Sequence, residues 1–540
     1  MTWAITRPGD GAFSSKIAEN TALTPNNWWF FPYDQLNLEL LDGKECNGII
    51  LIESTNKAKS FPYHKQKLFL VISSIRHFAV ECNNLAIPTL HVSTNGPYHE
   101  VIGELSERLG PININRPSER SLRIELESLE KGGKVIFHKH PGWLTEKSWF
   151  VESNGLEPPF RMDKFYRKAR KELGWLMDNG KPRGGKYSFD SENRKPWKYD
   201  PIPPRENEYE YDSIDYEVVK IVNTLFPDNP GDLGEKKYPT SSLEVREAVN
   251  YTVRVLPHFG DYEDAMSAQS KSLFHTKLSP LLNLHRVMPA EIADVALNSN
   301  SPLNSVEGLL RQLIWREYVH HIHEITDGFR TLEVSKTESL PRNAGWDNHQ
   351  ISITSSLEPN HLEQTNPLPL AYWGRKTRMN CLDSVVESVI DDGWTHHIPR
   401  LMILGNFSQL LDVEPRQITD WFHSAFVDAF DWVVEPNVLG MATFGLGESM
   451  MTKPYVCGSP YIKKMSDYCD SCDLSKKNQC PVTNLYWAYL ERHRGKLEKV
   501  QRMTIPMRNL SKRSDIQKAE DVAIFDSVSN RLQNGLPVIE

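Results

Sequence analysis

Two regimes of hydrophobic spacing divide the chain. Over the first 150 residues, short apolar runs rich in aromatic and β-branched residues alternate with segments whose apolar positions recur at helical spacing. NWWFFPY (27–33), GIILIES (48–54), IPTLHVS (87–93) and KVIFHKH (134–140) read as strands. HKQKLFLVISSIRHFAVECNN (64–84) and stretches near 99–109 and 116–130 read as helices. Such alternation predicts βαβ units on a mostly parallel sheet. From about 178 to 240 the periodicity gives way to Pro, Gly, Asn and acidic residues, as in PIPPRENEYEYD, with one helical stretch, DYEVVKIVNTLF (215–226). This predicts a long interdomain connection. Beyond 240 nearly every segment is helical, among them SLEVREAVNYTVRVL, VEGLLRQLIWREYVHHIHEI and PRQITDWFHSAFVDAF. The expected division is an α/β domain over 1–150, a connection over 151–240, an all-α domain over 241–510 and a C-terminal tail over 511–540.

Composition changes this picture little. A chain of 540 residues exceeds one core, and 39% hydrophobic with 24% charged residues is that of an ordinary soluble protein. No G-x-G-x-x-G follows a strand, so a dinucleotide fingerprint is absent. The start, MTWAITRPGDG, has no apolar h-region, and no stretch approaches the roughly 20 apolar residues of a spanning helix. The expectation is a cytoplasmic protein without membrane attachment.

Charge is more informative. A net charge of −8 excludes a protein coated in basic surface, so nucleic-acid binding would need a local patch. Residues 161–198 supply one, with twelve Lys/Arg against five Asp/Glu. Phe165, Tyr166, Trp175, Tyr187, Phe189 and Trp197 are interleaved with those charges. Phosphate contacts plus stacking suit an opened DNA strand, with Arg183, Lys186 and Arg194 as candidate contacts. A solvated helix and connection would have the same composition. A second basic stretch covers 492–513.

The strongest chemical signal is the cysteines. Only seven occur, yet Cys469, Cys472 and Cys480 fall inside twelve positions, the last followed by Pro481. A Cys-x2-Cys pair puts two thiolates on one tight turn, a third can close over the same ion or cluster, and a fourth ligand must come from elsewhere. Cys381 and Cys457 are both candidates. Zinc and a cubane iron–sulfur cluster accept four sulfurs; one distant ligand plus a trio ending in Cys-Pro favours the cluster. Ligand clustering of this kind points to a reducing compartment. Cys46 and Cys82 read as buried structural thiols.

Several polar groups interrupt the apolar helices of the second half. LFHTKLSPLLNLHRV (273–287) places His275, Thr276 and Ser279 at a helix start, which suits a pyrophosphate or a plain N-cap. RQLIWREY (311–318) holds Gln312, Trp315 and Arg316. GWTHHIPRLMILGNF (393–407) offers His396, His397 and Arg400, and DAFDWVVEPNVLGM (428–441) offers Asp428, Asp431 and Asn437. These strings together resemble the flavin-binding half of the photolyase/cryptochrome family. WGRKTRMNC, KPYVCGSPYIKKMSDYCDSC and QCP resemble its bacterial iron–sulfur branch, the prokaryotic (6-4) photolyases. The similarity runs from about residue 48 to 505.

The resemblance implies an α/β antenna domain, a long linker and a helical domain holding a U-shaped FAD. It implies a 4Fe–4S cluster on Cys381, Cys469, Cys472 and Cys480, leaving Cys457 free. Thr276, Leu278 and Ser279 would hold the FAD phosphates, and Gln312 and Arg316 would lie along the cofactor. Arg400 and Asp431 would pair beside the isoalloxazine, with Asn437 facing its N5. Trp315 and Tyr455 would face a flipped lesion, and Trp421 and Trp373 would carry electrons to the surface. The implied activity is electron donation from photoexcited reduced FAD to a (6-4) photoproduct in UV-damaged DNA, with a proton from His397 or, in reserve, His396. Gln312 stands where cyclobutane-dimer photolyases carry Glu, which disfavours dimer repair. A cryptochrome-like photoreceptor and a primase-like iron–sulfur DNA-binding module are the competing classes, and the basic linker favours repair. A monomer with no obligate protein partner is expected. A 6,7-dimethyl-8-ribityllumazine antenna through Asp34 and Glu53 is implied too, although Lys57 is basic where antenna-binding members tend to be acidic. Phe422 follows Trp421 where relatives often have Tyr.

Overall fold

The computed structural model describes residues 3–18, 23–340 and 356–539. Six strands form one sheet: β1 (Trp3–Ile5), β2 (Trp28–Phe30), β3 (Gly48–Ser54), β4 (Thr89–Thr94), β5 (Ile112–Asn115) and β6 (Val135–His138). Their order is β1-β4-β3-β2-β5-β6, with β1 antiparallel on the edge and all other pairs parallel. Ile49, Ile50 and Leu51 of β3 are all buried, as a central parallel strand covered on both faces requires. The apolar runs predicted β2, β3, β4 and β6, while β1 and β5 escaped them. β5 reads ININ, and its two asparagines are buried because their amides donate to the carbonyls of Trp28 and Leu40. Strand order reverses between β2 and β5, and the carboxyl ends of these strands face the helical half, where α/β sheets place ligands.

The connection is an ordered clamp. Its helix Ser213–Leu225 opens with a capping box between Asp212 and Asp215 and packs Val218 and Val222 against Phe69 of helix Lys65–Asn84. Asp215 is fully buried, yet it accepts from Lys236 at 2.6 Å and Thr240 at 3.1 Å, with His77 at 3.3 Å. Breaking such a pair from one side strands a buried charge, at about 3–5 kcal/mol.

Two expectations are corrected. Most aromatics of the basic segment are not offered to a nucleic acid: Phe165, Tyr166, Phe189 and Trp197 are buried. Helix Met162–Leu173 simply turns its apolar stripe inward and its charges outward. The C-terminal tail is a helix, Asp515–Gln533, that docks on helix Val482–Arg492 through Val528 and Leu532. Arg513 and Asn484 both bond Asp521 there. So sparse a buried face leaves little periodic signal.

The two halves meet over a broad polar and aromatic seam. Tyr33 stacks on Phe430 (6.2 Å, 10°), and the buried Lys67 ammonium donates to the carbonyls of His423 (3.1 Å) and Ala429 (2.6 Å). Arg286 forks onto Glu81 at 2.8 and 2.7 Å. Among the described residues no helix is long and apolar enough to cross a membrane.

Candidate functional site

The site is built from helix Leu303–Ile325 and two segments where the backbone widens into π-helical turns, Arg400–Gly405 and Pro436–Ala442. Such widenings often mark functional sites, and nothing in the hydrophobic pattern announced them. Trp315 Nε1 donates to Asn437 Oδ1 at 2.8 Å, and the Asn437 amide donates to the Val433 carbonyl at 2.7 Å, which fixes the amide's orientation. The Arg400 guanidinium forks onto Asp428 at 2.9 and 2.8 Å and donates to the Thr395 carbonyl at 2.7 Å. Ser279 donates to the same Asp428 carboxylate at 2.5 Å.

The pairing of Arg400 with Asp431 is therefore corrected to Asp428. Asp431 opens the next short helix and accepts from the backbone N–H of Arg120 at 2.7 Å, across the domain seam. DAFD holds both acids, and sequence alone did not separate them. Arg316 also turns toward the α/β domain. Its guanidinium lies over Trp143 (4.3 Å) and Trp432 (5.0 Å) and bonds Asn283 and the Leu282 carbonyl at 3.0 Å. It reaches the expected cofactor side only through Asn283, which donates to the Asp428 carbonyl at 2.8 Å. Leu278 is a packing residue of a buried cluster. Thr276 lines a small cavity with Tyr238, Lys277 and Glu206.

Sequence reasoning missed Glu263. This buried carboxylate accepts from Gln312 (2.6 Å), Asn193 (2.7 Å) and Arg311 (2.8 Å). His397 Nε2 lies 3.9 Å from the same oxygen that Gln312 holds. Burial, then His275, push the charged form of His397 down while Glu263 pulls it up. Its side chain keeps 38% accessibility, which tempers that push without reversing it. The ring is held towards its neutral form. His396 is buried and likewise held neutral, by burial first and then by His275.

Cys381 is buried at the start of helix Asn380–Asp392, beside the trio: burial first, then Cys480, Cys469 and Cys472, raise its thiol. Cys457 lies apart, with its backbone paired to Asn406 and its thiol pushed up to about 12 by burial alone.

A basic surface does exist near Tyr455, but it is assembled from three segments. Arg194, Lys453 and Arg502 sit close enough that, after burial, the two arginines press the Lys453 ammonium down, and both act on Tyr455. Lys186 is paired with Glu192 and Arg183 with Asp178, and Arg194 itself faces Asp190 and Asp264. Replacing Arg502 by Ala should therefore lower the log–log salt slope of DNA binding by about one, whereas Lys186→Ala should leave it unchanged. Equal slopes for wild type and Arg502→Ala, measured by anisotropy across a salt series, would remove the surface from the DNA interface.

Trp421 is buried 6.3 Å from the partly exposed Trp373 and 5.8 Å from Phe426, over which Arg400 lies at 4.3 Å. Phe422 stacks on Phe426 at 4.9 Å. At the switch of the sheet a second cavity is lined by Tyr33, Glu53, Lys57, Tyr63, Glu119 and Phe430. Glu53 is committed to Arg76 (2.7 Å) and His91 (2.9 Å), which outweigh burial and bring its carboxyl down to about 2. Asp34 is buried, its carboxyl pushed up to about 7 by desolvation.

A helical domain with a half-buried Arg–Asp pair beside two adjacent histidines, joined to a parallel α/β domain, has close relatives. Residues 30–238 match the family profile described as deoxyribodipyrimidine photo-lyase-related protein. The (6-4) photolyase of Agrobacterium fabrum is 31% identical over 506 residues, spanning 89% of this chain and 95% of that protein. The fold is shared with a bacterial class III photolyase from Agrobacterium tumefaciens (TM-score 0.54, 13% identity, 95% of this chain and 99% of that one). It is shared too with a Synechocystis cryptochrome (TM-score 0.55, 13% identity, 93% and 95%). The chain belongs to the photolyase/cryptochrome family.

Proposed function

We propose that this chain is a light-driven DNA repair enzyme acting on the (6-4) pyrimidine–pyrimidone photoproduct, as a cytoplasmic monomer carrying FAD and a 4Fe–4S cluster. The observation that carries the reading is His397. It stands half open at the mouth of the site while its inner edge shares Glu263 with Gln312. A base turned out of the duplex would meet that ring, with Trp315 held by Asn437 behind it.

FAD fits the residues present. Arg400 and Asp428, Ser279, Asn437 and Gln312 would hold it, and the bound flavin supplies the light-driven electron that cleavage of the lesion returns. The chain's own part is to bind, orient and hold one proton: Asp428 keeps Arg400 charged and aimed, Asn437 is locked by Val433, and the protonated ring of His397 would give its proton to the hydroxyl that moves between the pyrimidines. The four thiols suit a cluster better than a single ion. Among the described residues, three groups bring ligand atoms within 4.8 Å of one another, and the thiols are not one of them. Zinc at about 2.3 Å from each sulfur would hold them about 3.8 Å apart. A 6,7-dimethyl-8-ribityllumazine suits the second cavity through Glu119 Oε2 and the Tyr33 hydroxyl, buried without partners, rather than through Glu53, while Asp34 is not part of that lining.

A cryptochrome-type sensor is the second reading, and the basic surface of Arg194, Lys453 and Arg502 favours repair over it. The deciding experiment is irradiation of a defined (6-4) oligonucleotide with the reduced protein, scored by restored thymines. No repair ends the reading, and cyclobutane-dimer repair would change the substrate. Asp428→Asn should cost tenfold or more in FAD retention, since it leaves the Arg400 guanidinium half-buried beside a neutral group. An unchanged flavin-to-protein absorbance ratio would remove the pair from the cofactor site.

A further inference from the structure

Behind the mouth of the site, three histidines converge from two loops. One ring nitrogen each of His275, His396 and His397 lies within 4.8 Å of the other two. His275 and His396 stack at 4.0 Å, and His397 turns its edge toward them at 5.5 and 6.1 Å. His275 Nδ1 sits 2.9 Å from the Ser272 carbonyl, and the Glu263 backbone also acts on the ring. His396 Nδ1 is buried without a hydrogen-bond partner, on a residue only 3% exposed. An unpaired buried polar atom is costly, and one on a ring gathered with two other imidazoles points to something that binds there.

We propose that His275, His396 and His397 form a binding site for a divalent transition-metal ion of nitrogen preference, such as Zn2+, with its fourth position open to the mouth of the site. Three neutral imidazoles with one open position are a standard zinc environment. Burial is the first cause that holds all three rings neutral, so their lone pairs are free near pH 7 without displacing protons. Glu263 supplies negative charge 3.9 Å from His397, while Arg311 and Arg400 oppose a cation. Bond lengths of about 2.0–2.1 Å require the nitrogens to draw closer. The half-open His397 is free to move, and a turn of the His396 ring breaks the stack. An ion there ties up the His397 ring that serves the lesion. This consequence rests on the repair reading: Zn2+ should inhibit light-driven repair and leave photoreduction intact.

The test is equilibrium dialysis of the intact, iron- and FAD-loaded protein against zinc chloride, with metals counted by mass spectrometry. One Zn2+ per chain is expected, with affinity weakened about a hundredfold or more in His275→Phe and separately in His396→Phe. Each variant is checked for wild-type iron and flavin. If either fails to fold, Co2+ added to the wild type should show the visible bands of a nitrogen-ligated ion. Absence of binding, binding that survives both substitutions, cobalt bands of thiolate type, or binding that tracks iron loss overturns the site. Binding without inhibition of repair leaves the site standing and removes the proton role from His397.

Discussion

His397→Ala should lose light-driven repair of (6-4) photoproducts while keeping FAD, photoreduction and lesion binding. None of those three needs a proton from the ring, and the repair step does. The loss should reach or exceed the ~10²–10⁴-fold typical of acid–base groups, because a lesion seated over the ring would exclude the water that could substitute as donor. The surroundings add a second signature. Burial and His275 disfavour the charged ring, so above its pKa the protonated fraction falls with rising pH. Wild-type repair under light-saturated conditions should thus climb by up to about tenfold per unit as pH falls from about 8 to 6, and the residual rate of His397→Ala should be flat. Asp264, pushed up to about 7 by burial and then by Glu263, titrates in this window as well, so Asp264→Asn is the control that must keep the slope. Repair by His397→Ala at the wild-type rate would transfer the role to His396 or end the (6-4) assignment.

What could be read from the sequence follows from how local each signal is. The strand GIILIES and the helices over 65–84 and 303–325 announce themselves, since burial of a whole strand or of one helix stripe leaves a periodic trace. The cysteine trio is legible because its geometry is local. Pairings across the fold are not. Choosing Asp428 over Asp431 as the partner of Arg400 depends on which face of a single turn points inward. Glu263 carries no motif, and it matters only because Gln312, Arg311, Asn193 and His397 arrive from three other segments. The basic segment shows the opposite failure. A strong compositional trace at 161–198 is mostly an amphipathic helix with its ions paired, while the surface that gathers Arg194 with Lys453 and Arg502 is scattered through the chain.

Loss of one cluster ligand should unmake the flavin site, although the two are separate in sequence. Cys381 begins helix Asn380–Asp392, and the far end of that helix leads directly into Trp394, His396, His397 and Arg400. Its last turn is held on several sides: His64 bonds the Ile390 carbonyl at 2.7 Å, Tyr238 donates to the Asp392 carbonyl at 2.7 Å, and Ser388 donates to the Trp394 carbonyl at 3.1 Å. Trp394 then donates to Ser279 at 3.3 Å, beside Asp428. A cluster joining Cys381 to Cys469, Cys472 and Cys480 would close a loop of about 90 residues, so the bonds formed there would restrain a large part of the unfolded chain and contribute to folding itself. Cys472 is buried at the start of the short helix Asp473–Lys476. Cys472→Ser should therefore yield insoluble protein, or soluble protein that has lost both the broad iron–sulfur shoulder and most of its FAD. Cys457→Ser, outside the set, should keep both. Iron by mass spectrometry and flavin by absorbance after heat release decide it, and a soluble Cys472→Ser with full iron and full FAD would sink the cluster assignment and the coupling together.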